Sequence, residues 1–208
     1  MSYAVKEMFL TLQGEGAQAG RRAVFIRLAG CNLWSGREKD RAAASCTFCD
    51  TDFVGTDGEN GGRYDSRGLA ERASILWGDL PGRFCVVTGG EPMLQLDSDM
   101  VGALHESGFE IAMETNGTLP AAEGLDWICV SPKSGTEIVQ RSGNELKLVW
   151  PQQGMDPEAF ASWDFDHFLI QPMDCEDKEA ALAAAIAYVR EHPNWRLSLQ
   201  THKLLGLP

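Results

Sequence analysis

The chain has 208 residues, of which 44% are hydrophobic and 23% charged, and its formal net charge is -12. This composition excludes intrinsic disorder, and the acidic charge argues against broad contact with nucleic-acid phosphates or an anionic membrane. The length suits one well-buried domain, so we expect residues 1–208 to form a single domain. No stretch approaches the roughly 18 apolar residues of a membrane span and no cationic leader is present, so we expect a cytoplasmic protein.

Short apolar runs that end in Gly, Ser, Thr, Pro or charged residues predict the strands. The first run is 23–30, and six more occupy 84–92, 110–117, 127–133, 145–151, 167–174 and 196–203. Several lack alternation, as is typical of parallel strands that are covered on both faces. Helical patterns lie at 96–107 and, more strongly, at 176–191, where Leu182, Ile186 and Val189 share one face and Pro193 ends the helix.

Alternating strands and helices predict an α/β protein with a parallel sheet. About seven strands with few strong helices indicate a partial, open parallel β/α barrel, because a complete eight-fold barrel usually needs about 250 residues. Ligands in such folds bind at the carboxyl ends of the strands. Segments 35–45 and 55–66 are predicted loops, and the second, rich in Gly, Asp and Asn, is a candidate flexible lid.

Three cysteines follow the first predicted strand. Cys31 and Cys46 are separated by fourteen residues, and Cys46 and Cys49 by two. In a reducing compartment they are expected to be free thiols or metal thiolates, and three thiolates around an iron–sulfur cluster leave one iron without a protein ligand. The alternative is structural zinc, which would need a fourth ligand. Cys85 and Cys129 lie in apolar runs and are expected to be structural. The role of Cys175 is open.

The cysteine pattern resembles that of radical S-adenosylmethionine enzymes, which usually have gaps of three and then two residues. An expanded first gap is seen in some 7-carboxy-7-deazaguanine synthases. Other segments along the whole chain are similar to that family: LQGEG (12–16), FIRLAGCNLW (25–34), CDT (49–51), TGGEP (88–92), ETNG (114–117), SPK (131–133), LKLV (146–149), QPMD (171–174) and QTHK (200–203).

The resemblance implies a radical SAM lyase of the queuosine and 7-deazapurine pathway. Such an enzyme converts 6-carboxy-5,6,7,8-tetrahydropterin to 7-carboxy-7-deazaguanine and ammonia by radical ring contraction. The implied cofactors are a 4Fe–4S cluster, S-adenosyl-L-methionine and Mg²⁺. A flavodoxin or ferredoxin is the expected electron donor, and a homodimer is the expected assembly. No side chain is expected to act as an obligatory nucleophile, so the protein would position the reactants and exclude water.

The resemblance also assigns the cofactor-binding residues. The cluster ligands would be Cys31, Cys46 and Cys49, and Thr51 would bind magnesium. The remaining cofactor contacts would come from Asp50, Gly89, Gly90, Glu114, Ser131, Pro132, Lys133, Gln171, Pro172, Met173 and Asp174. A Gly-Gly pair alone is more often a plain turn, and Lys133 and Asp174 are alternatively solvated loop residues.

The substrate side is predicted from residues that suit a carboxylated bicyclic pterin, namely Leu12, Gln13, Gly14, Glu15, Arg27, Thr88 and His202. Arg27 lies within an apolar strand, and a guanidinium there needs an anionic partner, either the substrate carboxylate or, as the alternative, Glu15. Gln13 offers both a donor and an acceptor to a pterin edge. His202 is alternatively a core histidine.

Two other functions compete with this interpretation. One is a different radical SAM enzyme, such as an activase of a glycyl-radical protein, which would need a peptide groove and usually has the compact cysteine spacing. The other is a non-catalytic zinc-binding module that recognises a partner, and such a protein would be colourless and free of iron.

Overall fold

Nine strands and four α-helices make up the computed structural model, which describes residues 1–208. The strands are β1 (Tyr3–Leu12), β2 (Arg22–Leu28), β3 (Gly62–Tyr64), β4 (Phe84–Gly89), β5 (Glu110–Thr115), β6 (Trp127–Val130), β7 (Ser142–Trp150), β8 (Asp164–Pro172) and β9 (Trp195–Leu197). The α-helices are α1 (Ser66–Trp77), α2 (Ser98–Glu106), α3 (Lys178–Glu191) and α4 (Thr201–Leu205). Short 3₁₀ helices span Glu38–Ala43, Pro92–Leu94 and Pro157–Phe160. No helix is long and apolar enough to cross a membrane.

The strands form one sheet in the order β3-β1-β2-β4-β5-β6-β7-β8-β9. Within the part of the sheet that runs β2-β4-β5-β6-β7-β8-β9, all pairs of neighbours are parallel, whereas β1 runs antiparallel to both β2 and β3. The sheet ends at β3 and β9 without closing, which confirms the predicted partial barrel. The carboxyl ends of six consecutive strands, β2 and β4 to β8, therefore meet at one edge of the sheet.

Two apolar clusters hold the helices on the sheet. The larger joins β1, β2, β4 and β5 to α1 and α2, and its fully buried members include Leu69, Leu104 and Met113. The smaller joins β7 and β8 to α3 through Leu146, Ile170 and their neighbours. These strands read as continuous apolar runs because both of their faces are covered.

The first strand of the sheet, β1, escaped the sequence analysis, which placed the first strand at 23–30. Its apolar residues alternate irregularly, and its register with β2 shifts between Val5 and Glu7, which disturbs the two-residue period. The candidate lid at 55–66 is held against this strand: it forms β3, and the Met8 amide donates to the Glu59 carbonyl at 2.8 Å. Lys6 adds an ion pair with Asp57 of the same segment and another with Asp52, just before it.

The buried face of helix α3 differs in part from the one that the sequence predicted: Val189 packs against the smaller cluster, as expected, but Leu182 and Ile186 do not. Ala181 and Ala185 face the sheet, whereas Leu182 and Ile186 are 38% and 40% exposed. The physical reason is the bulk of the opposing aromatic side chains Phe168 and Trp195 on the sheet; together with Tyr188 of the helix itself, they leave room only for small residues at positions 181 and 185. The helix begins at Lys178 rather than at 176 because the Asp177 carboxylate accepts a hydrogen bond from the Ala180 amide.

This register yields a stability prediction. Ala185→Leu should overpack the smaller cluster and cost about 1–3 kcal/mol, which corresponds to a fall in Tm of about 2–4 °C per kcal/mol. The matched change Leu182→Ala removes an exposed side chain and should cost no more than about 0.5 kcal/mol. Thermal unfolding by circular dichroism under anaerobic conditions measures both values, and a larger loss for Leu182→Ala would contradict the observed register.

Candidate active site

A cavity of about 360 Å³ opens at the carboxyl ends of the parallel strands. Thr88 and Gly89 enter it from the end of β4, Glu114 from β5 and Gln171 from β8. The structure thereby brings together most of the side chains that the sequence predicted for the site. The exceptions, which do not line the cavity, are Cys31, Pro132 and Met173. The last two contribute backbone contacts instead: the Pro132 carbonyl accepts from Gln152, and the Met173 amide donates to Trp150.

The three predicted cluster ligands lie on one loop that leaves β2. All six cysteines are free, Cys46 is buried, and Cys31 and Cys49 are half-buried. Burial raises the pKa of the Cys31 and Cys46 thiols, and each also senses the charge of Cys49. No group of three or more His, Cys, Asp or Glu side chains lies close enough to hold a single metal ion. Three neighbouring free thiols are a donor set that suits an iron–sulfur cluster, in which each thiolate binds a different iron.

Gly89 and Gly90 let the end of β4 lie directly against the start of the cysteine loop. A Cβ atom on Gly89, whose φ is +146°, would lie 2.2 Å from the Leu28 carbonyl oxygen. On Gly90 it would lie 2.4 Å from the Gly30 carbonyl oxygen and 2.5 Å from Cβ of Cys31. Only glycine fits this approach. The pair is therefore required by the position of Cys31, whether or not it also contacts a ligand.

Glu91, next to that pair, ties three loops together and was missed by the sequence analysis. Its amide donates to the Gly30 carbonyl at 3.0 Å. Its fully buried carboxylate accepts from the Thr115 hydroxyl at 2.7 Å and the Asn116 amide at 2.8 Å. The Asn116 side chain in turn donates to Asn32, beside Cys31. Burial raises the pKa of Glu91, and hydrogen bonds with backbone and hydroxyl donors oppose that effect.

Arg27 faces the cavity from β2, paired in register with Thr88 of β4. Its Nε atom donates to Glu7 Oε1 at 2.8 Å, so the suggested internal partner Glu15 was wrong. Glu7 is the residue opposite Arg27 in the antiparallel β1–β2 register, which explains the pairing. The two terminal nitrogens of the guanidinium make no hydrogen bond within the chain, so they remain available to an anion in the cavity.

Glu15 instead belongs to a buried charge network centred on Lys147 of β7. Lys147 Nζ lies 2.6 Å from Glu15 Oε2 and 3.5 Å from Glu114 Oε1. Glu114 Oε1 also accepts from Gln13 Nε2 at 2.8 Å, and Glu15 Oε1 accepts from Gln200 at 2.9 Å. Burial acts to raise the pKa of Glu15, but attraction and hydrogen bonding by Lys147 outweigh it and lower the pKa to about 2.

Two further lysines make contacts near the cysteine loop. Lys203 of α4 contacts both Asp50 and Asp174 at 2.5 Å, and so joins the cysteine loop to the end of β8. Lys133 donates to the Ser131 carbonyl and hydroxyl, both at 2.7 Å. Burial lowers the pKa of Lys133, and the nearby Cys46 thiol opposes that effect. Lys133 and Asp174 are thus paired residues of the cavity wall rather than solvated loop residues.

The remaining predicted residues occupy the cavity wall. His202 lies in α4 and packs against Gly14, where an added Cβ atom would come within 2.2 Å of its Nδ1 atom. His202 is half-buried at the cavity, not a core histidine. Leu12, Thr51 and Pro172 complete the set. Gln13 retains one free hydrogen-bonding position at each end of its amide, because it donates once to Glu114 and accepts once from the Glu15 amide.

Several lining residues were absent from the sequence prediction, including Glu7, Lys147, Gln200, Lys203 and Pro208. Lys147 had a usable signal: it is a single cation inside the apolar run 145–151, the same pattern that identified Arg27. Glu7 and Pro208 had none, since their place in the cavity depends on the undetected β1 and on long-range contacts.

Comparison with known proteins places this site in a family. The chain is 60% identical over 210 residues to the 7-carboxy-7-deazaguanine synthase of Bordetella pertussis and 61% identical over 210 residues to that of Caulobacter vibrioides, with complete coverage of both chains in each case. The chain belongs to the 7-carboxy-7-deazaguanine synthase family. The crystal structure of QueE from Escherichia coli has a TM-score of 0.75 and 29% identity and covers 97% of this chain and 95% of its own. No protein-family model matches the chain.

Membership of the 7-carboxy-7-deazaguanine synthases confirms the resemblance on which the sequence analysis rested. It also confirms the prediction of a radical SAM lyase of the queuosine pathway, and removes the zinc-binding module and the glycyl-radical activase as competing interpretations.

The close approach at Gly90 yields a prediction about the cluster loop. Gly90→Ala should displace Cys31 and lower the iron content of the reconstituted protein well below that of the wild type, because the new methyl group overlaps the Gly30 carbonyl oxygen. Gly102→Ala is the matched control: it lies in α2 with no atom within 4 Å of the new Cβ. It should retain full iron and gain about 0.5–1 kcal/mol in stability. Iron analysis measures both variants, and full iron in Gly90→Ala would contradict this role.

Proposed function

We propose that this protein converts 6-carboxy-5,6,7,8-tetrahydropterin to 7-carboxy-7-deazaguanine and ammonia, with a 4Fe–4S cluster, S-adenosyl-L-methionine and Mg²⁺. The observation that carries the proposal is that the cysteine loop and the residues Arg27 and Glu15 line one cavity, in a chain 60% identical to a named synthase. The cavity is large enough for a small-molecule site, which is typically about 300–1,000 Å³.

On the cofactor side, Cys31, Cys46 and Cys49 would hold the cluster and leave one iron open. When bound, the cluster and S-adenosyl-L-methionine supply the radical that removes hydrogen from the substrate. Glu114 Oε2 makes no hydrogen bond within the chain and is free to accept from ribose hydroxyls. Further contacts would come from Asp50 on the cysteine loop and from residues at the ends of β4, β6 and β8: Gly89, Gly90, Ser131, Pro132, Lys133, Gln171, Pro172, Met173 and Asp174.

On the substrate side, the free nitrogens of Arg27 would bind the substrate carboxylate, because a planar guanidinium matches a carboxylate fork. Gln13 and Glu15 would read the amide and amine edge of the pterin, and Leu12, Gly14, Thr88 and His202 would complete the wall. Magnesium would take the Thr51 hydroxyl and substrate oxygens, in keeping with its preference for few protein ligands and hard oxygen atoms.

The chain's own side chains would act by position and charge. No nucleophile is needed for ring contraction, so the contributions are to orient C6 of the substrate toward the cofactor, to neutralise its carboxylate and to keep water out. The ionised Glu15 would hold the pterin edge while nitrogen leaves as ammonia.

The assembly and cellular setting are also proposals. We infer that residues 1–208 act as a single domain in the cytoplasm and receive electrons from a flavodoxin or ferredoxin. A homodimer is supported by the unclosed sheet, whose end strands β3 and β9 would benefit from cover. Size-exclusion chromatography with light scattering measures the oligomeric state.

Replacing Cys31, Cys46 or Cys49 with Ala should abolish cluster assembly and cleavage of S-adenosylmethionine, because two thiolates do not hold the cluster. Cys175→Ala is the matched control, since that thiol is half-buried and outside the cavity lining. The visible absorption spectrum and iron content of anaerobically reconstituted protein give the result. An intact cluster in any of the three variants would remove that cysteine from the ligand set.

Replacing Arg27 with Ala should weaken substrate binding about 10- to 100-fold, the value expected for a charge-assisted pair, with the affinity for S-adenosylmethionine nearly unchanged. Arg22→Ala is the control on the same strand, because its side chain contacts Trp77 instead. Calorimetric binding of each ligand to the cluster-loaded protein separates the two affinities. Equal losses of both would indicate a structural role for Arg27.

The overall function is tested by an anaerobic assay with S-adenosylmethionine, a reductant, Mg²⁺ and the carboxypterin, followed by mass spectrometry. The expected product is 7-carboxy-7-deazaguanine with one equivalent of ammonia. Colourless protein that contains zinc and no iron, or turnover without this product, would overturn the proposal.

A further inference from the structure

Lys147 is the most deeply buried cation in the cavity wall, with a side chain that is only 4% exposed. It lies on β7, and its ammonium group contacts Glu15 and Glu114. Neither carboxylate residue is its neighbour in the sheet register, so the long side chain of Lys147 bridges the distance. A buried ammonium of this kind is stable only when carboxylates surround it. The assignments above give Lys147 no contact with substrate or cofactor, so its role is unexplained.

The two carboxylates that Lys147 holds belong to different halves of the site. Glu15 lies on the proposed substrate side, and Glu114 on the proposed cofactor side. In Glu114, both Lys147 and Gln13 bind Oε1, which leaves Oε2 directed to other partners. In Glu15, Lys147 and Gln200 take one oxygen each. One ammonium group thereby contacts both carboxylates, and Gln13 and Gln200 each hold one of them as well.

We propose that Lys147 is a positioning residue that keeps Glu15 ionised and orients both Glu15 and Glu114, and so couples the geometry of the substrate side to that of the cofactor side. The proposal rests on the proposed function, because it takes the ligands of the two halves from it.

The charges around this pair set the expected behaviour on pH change. Glu114 faces Lys147 from β5, Cys129 from β6 and Glu145 from β7 itself, while Lys133 adds a like charge from the segment after β6. Glu145 is held by the Ala17 amide at 2.8 Å. Gln200 donates to Glu15, Gln171 also acts to lower the pKa of Glu15, and His202 packs beside Gly14. Lys147 is the group that offsets the burial of Glu15, so its removal leaves a buried carboxylate without a counter-charge.

The pH dependence follows from these charges. In the wild type the pKa of Glu15 is about 2, so the carboxylate is ionised throughout pH 6–9 and its titration adds no step there. Without Lys147, burial dominates and raises that pKa. In Lys147→Gln a larger fraction of Glu15 is then protonated at low pH, and affinity for the substrate should recover as pH rises.

The test is calorimetric binding of the carboxypterin and, separately, of S-adenosylmethionine to cluster-loaded protein without reductant, from pH 6 to 9. At pH 7, Lys147→Gln should bind the carboxypterin roughly 30-fold more weakly than the wild type, and S-adenosylmethionine about 5- to 10-fold more weakly. The ratio of variant to wild-type affinity for the carboxypterin should rise with pH. Lys147→Arg, which keeps the cation, should restore a ratio that is independent of pH.

The double variant Glu15→Gln with Lys147→Gln removes both charges and leaves no unpaired charge between them, so it carries the test even if Lys147→Gln does not fold. The ratio of its carboxypterin affinity to that of the wild type should be low and independent of pH. A ratio that rises with pH in the double variant would place the titrating group elsewhere and overturn the proposal. Wild-type affinity for both ligands in Lys147→Gln would do the same. Failure of the wild type to bind the carboxypterin would instead refute the proposed function.

Discussion

The site depends on the contact between the end of β4 and the start of the cysteine loop. Two side-chain-free residues, Gly89 and Gly90, allow the backbone of β4 to touch Leu28 and Gly30, and Glu91 then fastens that contact to the end of β5. This contact places Cys31 at the end of the sheet, whereas Cys46 and Cys49 are held by the loop itself: the Cys46 amide donates to the Leu33 carbonyl, and Arg41 donates to the Cys49 carbonyl.

The cavity arranges its charges in a definite pattern. Three cations of the cavity wall are each paired with a carboxylate of the chain: Arg27 with Glu7, Lys147 with Glu15, and Lys203 with Asp50 and Asp174. Such pairing reduces the cost of holding charge in a partly buried wall, and hydrogen bonds fix the direction of each group. A chain of net charge -12 can therefore present local positive groups to an anionic ligand.

The sequence predicted the seven parallel strands well, because strands buried on both faces read as apolar runs that end in polar residues. The same analysis placed Arg27, Gln13 and Glu15 in one site through motifs. It failed where tertiary packing decides the outcome. Ala185 rather than Ile186 faces the sheet because aromatic residues fill the space between the layers, and Glu7 rather than Glu15 pairs with Arg27 because of an antiparallel register in a strand with irregular periodicity.

The wall formed by α4 and the residues that follow it has a consequence for the order of folding. The Thr201 amide and hydroxyl donate to the Gly14 carbonyl, 187 residues earlier, and the Thr11 hydroxyl contacts the Pro208 carbonyl, 197 residues later. Contacts of such large sequence separation form late, since the entropy of closing the intervening chain must be overcome first. During synthesis on the ribosome, the cysteine loop and strands β2 to β5 can therefore assemble while the substrate side still lacks this wall.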